Sequence, residues 1–182
     1  MAFILAVIAN PLMAQELELF VANTAKLDDC TLDVFRTELS AILSASGRPA
    51  VFSAEARSVL RITVRQEAPE EEAMALGRIR RIDGRLVPEV ELFVAPTAQL
   101  IGTRLAGVLG RALARVAAHE LGHWLTQESG HAKNGLMMEH LSAAHLIAPP
   151  EQRPVDLWTT RRGVAHNPHR ASSSSKQAFD LR

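Results

Sequence analysis

Four of the chain's seven histidines fall in one stretch, RVAAHELGHWLTQESGHAKNGLMMEH, running from Arg115 to His140. Its first part, HELGH, sets His119 and His123 four residues apart with Glu120 beside the first. On a helix, at about 100° per residue, four residues make roughly one turn, so the two imidazoles project from nearly the same face and can reach one ion. Glu120 falls on the flank of that face, where its carboxylate can meet an ion-bound water without becoming a ligand. H-E-x-x-H chemistry needs this arrangement: two imidazole ligands and a glutamate as general base. Zinc suits such ligands because it has no redox chemistry, accepts imidazole nitrogen and commonly leaves a fourth position to water. Its charge draws the pKa of that water towards roughly 7. Glu120 would accept the proton and pass it to a leaving amine while the ion polarises the scissile carbonyl. The chemistry so described is peptide-bond hydrolysis without a covalent intermediate.

A third protein ligand is needed. His131 is the first choice, because Gly130 and the turn-forming residues before it let the chain leave the helix and fold back beneath the ion. Glu139, His140 and His145 stand behind it as alternatives. His166 and His169 belong to a region whose composition does not favour a preorganised site.

Several elements must position these groups. The stretch TRLAGVLGRALARVAAHELGHWLTQ repeats Leu105, Leu109, Ala112/Leu113, Val116 and His119/His123 at helical spacing, which predicts a largely buried helix over 104–126 with Thr103 or a neighbour as its cap. Upstream, Glu16–Val21 alternates as a half-buried strand does. Asp28 or Asp29 then caps a helix over 32–46 whose apolar positions are Leu32, Phe35, Leu39 and Ile42/Leu43, with Gly47 at its end. Pro49–Ala54 and Val59–Val64 read as short strands. Glu67–Glu72 is an acidic solvated loop or a first helical turn. Asp83-Gly84, between two runs of strand character, predicts a hairpin. Pro88 would interrupt a central ladder, which places the second arm, Glu89–Val94, at or near a sheet edge. A short helix over Glu139–Ala148 ends at Pro149-Pro150. The expected fold is α+β: a small mixed sheet with an edge strand, one backing helix, one helix carrying the site, and a short helix after it.

The segment HELGHWLTQESGHAKNGLMMEH resembles the metzincin clan of zinc metallopeptidases, in which an H-E-x-x-H helix, a glycine turn and a third histidine precede a methionine-containing turn under the metal. By position, the resemblance implies His119, His123 and His131 as ligands of Zn2+, Glu120 as the base, and Gly135-Leu136-Met137 as the methionine turn with Met137 its methionine. Val87–Val94 is similar in place and character to the edge strand that aligns an extended substrate. In the usual H-E-x-x-H-x-x-G-x-x-H pattern a glycine stands where this chain has Thr126, and the third histidine comes two residues earlier than His131. The wider spacing with a following GLM is similar to that of uncharacterised, often exported, bacterial metzincin-like proteins. The chain contains no tyrosine, so the tyrosine that some clan members use near the transition state has no counterpart.

Composition bounds the alternatives. At 182 residues the chain suits one domain plus ends. Twenty basic and twenty acidic side chains cancel, which removes the footprint of a nucleic-acid binder. Cys30 is the only cysteine and is expected as a buried small hydrophobe. Residues 1–14, with the apolar run Phe3–Ala9 and Ala14 before Gln15, read as a signal peptide and imply export. No run approaches the ~20 apolar residues of a membrane span. Residues 15–150 are the expected zinc peptidase domain, and 151–182, basic and Ser-rich, an expected disordered tail. The expected partner is a peptide or protein substrate. Rival readings are a zinc-binding module without turnover and a zinc hydrolase of a non-peptide amide; the cysteine motif of peptide deformylases is absent.

Overall fold

The computed structural model describes residues 16–55 and 60–152. The expected leader and the expected tail beyond Gln152 lie outside the described residues. Five strands and four helices follow in the order β1 (Leu17–Asn23), α1 (Asp29–Ala45), β2 (Ala50–Ser53), β3 (Leu60–Arg65), β4 (Gly77–Ile82), β5 (Arg85–Phe93), α2 (Val94–Ile101), α3 (Ala106–Thr126) and α4 (Ala143–Ile147). The strands form one mixed sheet, ordered β2-β1-β3-β5-β4, in which only the β4–β5 pair is antiparallel. The fold is α+β.

Alternation in β3 shows how the sheet divides its faces. Leu60, Ile62 and Val64 are buried against the helices, while Arg61 and Arg65 point to the other side, which is solvated. That outer face carries an ion-pair ladder, with Arg65 and Arg78 both on Glu91 at 2.6 Å and Arg80 on Glu89 at 2.6 Å. The inner face packs on α1 and α3 through Leu19, Phe35, Leu39, Ile42, Leu92, Leu113, Ala117 and Leu121.

Helix α1 starts where the side chain of Asp28 accepts the Thr31 amide at 2.8 Å, and it stops before Gly47, whose φ of 73° suits glycine. Cys30 is exposed, contrary to expectation. The buried stripe begins at Thr31 and Leu32 and continues through Phe35 and Leu39, and Cys30 lies off it in the first turn.

The hairpin turn has positive φ at both Asp83 (48°) and Gly84 (78°), the two-residue form that matches strand twist. Its second arm lies near the edge, as expected, but one strand in from it. β5 lies between β3 and β4, and β4 is the edge strand. Pro88 is tolerated there because β3 pairs only with Glu89–Phe93, and the β4 register shifts between Ile79 and Arg81, opposite the stretch containing Pro88.

The strand run was expected to reach Val94, but α2 begins there. Pro96 stands in its first turn, where its missing N–H costs nothing, and Thr97 Oγ1 donates to Phe93 O at 2.7 Å. Gly102, at φ 71°, ends it. The final helix is shorter than expected: it spans Ala143–Ile147 behind a Ser142 cap, leaving Glu139 and His140 outside.

Helix α3 is buried almost continuously from Leu109 to His123. Arg115 is completely buried and donates from Nε and an Nη atom to Glu38 on α1, at 3.1 and 2.9 Å, and from the other Nη to His145 O at 2.8 Å. Near the α3 N-terminus the two long helices touch at Gly110, where a Cβ would lie 2.5 Å from Thr31 O and 3.1 Å from Phe35 N. Gly110→Ala should therefore destabilise the fold by about 1–3 kcal/mol in urea denaturation, although alanine is the better helix former by about 1 kcal/mol. A gain in stability would show that α1 retreats without cost.

Candidate metal centre

The last turns of α3 bring His119 and His123 to one side, with Nε2 atoms 3.1 Å apart. His131, from the loop beyond the helix, meets both: its ring centroid is 5.4 Å from that of His119 and 4.9 Å from that of His123. One nitrogen from each ring lies within 4.8 Å of the others, so among the described residues these three form a group that can hold a metal ion. His119 and His123 are buried and His131 is exposed, which makes a site with solid walls and an open side.

The opposite edges of the two buried rings decide their tautomers. His119 Nδ1 lies 2.6 Å from Leu136 O and His123 Nδ1 lies 2.8 Å from Glu128 O. A carbonyl only accepts, so each Nδ1 carries the hydrogen and each Nε2 is left with a bare lone pair. Two lone pairs facing each other at 3.1 Å repel unless a cation lies between them. Two nitrogens bound to one tetrahedral zinc at about 2.0–2.1 Å would stand roughly 3.3 Å apart, so the spacing fits the ion. Burial also keeps the rings neutral, pushing His119 down to about 4, against the Leu136 carbonyl that favours its charged form, and lowering His123 as well.

The loop is built by groups that carry no motif. Helix α3 ends at Thr126, as expected, and its cap Gln127 is left-handed at φ 55°, so the turn out of the helix begins ahead of Gly130. Gln127 holds this conformation while its Nε2 donates to Trp124 O at 2.8 Å and to Leu86 O at 3.2 Å, tying the helix end to β5. Thr126 is still helical, its hydroxyl bonded to Gly122 O at 2.9 Å. Beyond His131, the Ala132 amide donates to Met137 O at 2.7 Å, and Gly135 turns the chain at φ 78°. The Gly135–Met137 turn therefore serves both sides of the site: Leu136 O orients His119, and Met137 O anchors the residue next to His131. Leu136 and Met137 are buried.

Of the alternative ligands, none joins the group. His145 faces Ser142 in a capping box, and Glu139 and His140 line a neighbouring cavity of about 310 Å³. That cavity also reaches His119 and Glu120 and is walled by Leu76, Pro96, Leu100, Val116 and Leu141. Missing α2 hid two of these residues from sequence reading.

Glu120 sits at the edge of the site, 9% exposed. Burial pushes its carboxyl up to about 7; the Ile79 backbone amide of β4 opposes the shift and the charge of Glu72 adds to it.

Sequence comparison finds no matching family model and no matching curated protein. By structure, the chain is similar to archaemetzincin from Methanopyrus kandleri, at a TM-score of 0.54 and 12% identity, over 76% of this chain and 88% of that one. The two share a fold.

A carboxyl raised from 4.5 to about 7 favours the native state below 4.5, and that contribution is lost as pH climbs through about 7. Metal-free Glu120→Gln should therefore gain on the metal-free wild type between pH 4 and pH 8, by on the order of 3 kcal/mol at about 1.4 per pKa unit. A pH-independent gap between their urea midpoints would refute this. His131→Ala should strip zinc during dialysis, as measured by elemental analysis, whereas His140→Ala and His145→Ala should retain it. Equal losses from all three would remove His131 from the ligand set.

Proposed function

We propose that this chain is a zinc-dependent metalloendopeptidase of the metzincin type, with His119, His123 and His131 holding the ion and Glu120 acting as general base. The carrying observation is the pair of buried rings whose hydrogens are committed to carbonyls, leaving lone pairs aimed at a point that His131 also reaches. The likeness of the fold to archaemetzincin supports the same reading.

When bound, zinc would acidify a water and polarise a carbonyl oxygen. The chain's own groups do the remaining work. Glu120, with a carboxyl pushed up to about 7, is matched to taking a proton near neutral pH and releasing it to a leaving nitrogen. Leu136 O and Glu128 O hold the rings in the tautomer that binds. The edge strand β4 offers its unpaired side to an extended peptide, the role that the resemblance had given to Val87–Val94. Met137, buried, belongs to the same turn as Leu136, whose carbonyl orients His119.

Zinc-loaded protein should cut an unfolded protein substrate, and a chelator should stop it. Glu120→Gln should lower kcat by roughly 10²–10⁴-fold while zinc content stays at one equivalent. Metal retention with no hydrolysis by the wild type, over a broad peptide set, would favour a binding module instead.

A further inference from the structure

The cavity beside Glu120 has a composition that selects a substrate side chain, a point that rests on the peptidase reading. Its inner wall is apolar, with Pro96 and Val116 buried, while Met74 and Leu100 form a lip that is 74% and 41% exposed. At the mouth stand Glu139 and His140. No lysine or arginine lines it, and no ion pair to Glu139 is formed among the described residues. The contrast with the outer face of the sheet is sharp, since Glu89 and Glu91 there are each paired with arginine.

We infer that this cavity receives a lysine or arginine side chain from the residue just after the cleaved bond. Its place relative to the ion gives the side of the substrate. The cavity touches His119 and Glu120 but neither His123 nor His131, so it opens beside the group that, in the peptidase reading, hands its proton to the leaving nitrogen. The residue contributed by that nitrogen is the one whose side chain enters. A leucine-sized chain would fill part of the roughly 310 Å³ and leave the mouth empty. A lysine or arginine lays its methylene stem along Leu76, Pro96 and Leu141 and brings its cation out to the Glu139 carboxylate. Apolar walls alone do not distinguish lysine from an uncharged chain of equal length; Glu139 does.

The test compares peptides identical except for lysine, arginine, norleucine or glutamate after the scissile bond, with kcat/KM measured on the zinc-loaded full chain. Lysine and arginine should exceed norleucine by about three- to five-fold, the range of a partly exposed ion pair, and glutamate should be the poorest. Glu139→Gln should bring the lysine-to-norleucine ratio to about one, and Glu139→Lys should invert it. A norleucine rate equal to or above that of lysine in the wild type overturns the proposal while leaving the peptidase reading intact. If no peptide is cut, the peptidase reading fails. Affinities of zinc-loaded Glu120→Gln for the same peptides then decide the cavity's preference: lysine binding more tightly upholds it, and indifference overturns it.

Discussion

The Nε2 atoms of His119 and His123 face each other 3.1 Å apart, and each ring has committed its hydrogen to a carbonyl behind it. Neither can turn to relieve the repulsion without giving up a buried bond. The arrangement is therefore costly by itself and favourable around a cation, and much of the surrounding structure serves to keep it. Helix α3 fixes the spacing of the two rings, the Glu128 carbonyl comes from just past the helix end, and the Leu136 carbonyl comes from a turn further along the chain. Burial adds to the cost by disfavouring charge on either ring, which is also what leaves both available as ligands. Rigidity at this point is a property of backbone carbonyls as much as of histidines.

What keeps α3 in place is the densest part of the molecule. One turn before His119, Arg115 lies at zero exposure and joins α1, through Glu38, to the carbonyl of His145 in α4. Its guanidinium replaces in three directions the water it gave up. Gly110 lets α1 approach to contact, and the inner face of the sheet fills the remaining side. The site is thus an extension of the core, opened to solvent at His131 and through the cavity beside Glu120.

Features that repeat along the chain were legible in its sequence. The 3.6-residue periods of α1 and α3, the alternation in β1, the β-rich run of β3, and Asp83-Gly84 placed the main elements, and the four-residue spacing of His119 and His123 put both on one face. The gathering of His131 with them followed from turn chemistry, although the residue making the turn is Gln127, whose left-handed backbone a glutamine does not advertise. Pro88 pointed to an edge because a proline has no N–H to give to a neighbouring strand, and an inner strand has a neighbour on each side; here an irregular register absorbed it in an inner strand. Helix α2 went unseen because Val94 closes an apolar strand-like run and the helix begins without a pause. The carbonyls of Glu128 and Leu136 could not be read at all, since every residue has one and only the folded path decides where it points.

The segment between His123 and His131 is closed at both ends: Gln127 secures its start to β5, and the Ala132–Met137 bond secures its finish. Between these clasps, Glu128 is held by its carbonyl, while Ser129 and Gly130 lie on the surface and a Cβ added at Gly130 would meet nothing. The third imidazole is located by fastenings and not by a count of residues. A spacer fastened in this way can gain or lose a residue at Ser129-Gly130 without disturbing the triad, so a pattern search with rigid intervals will overlook chains that keep the same centre.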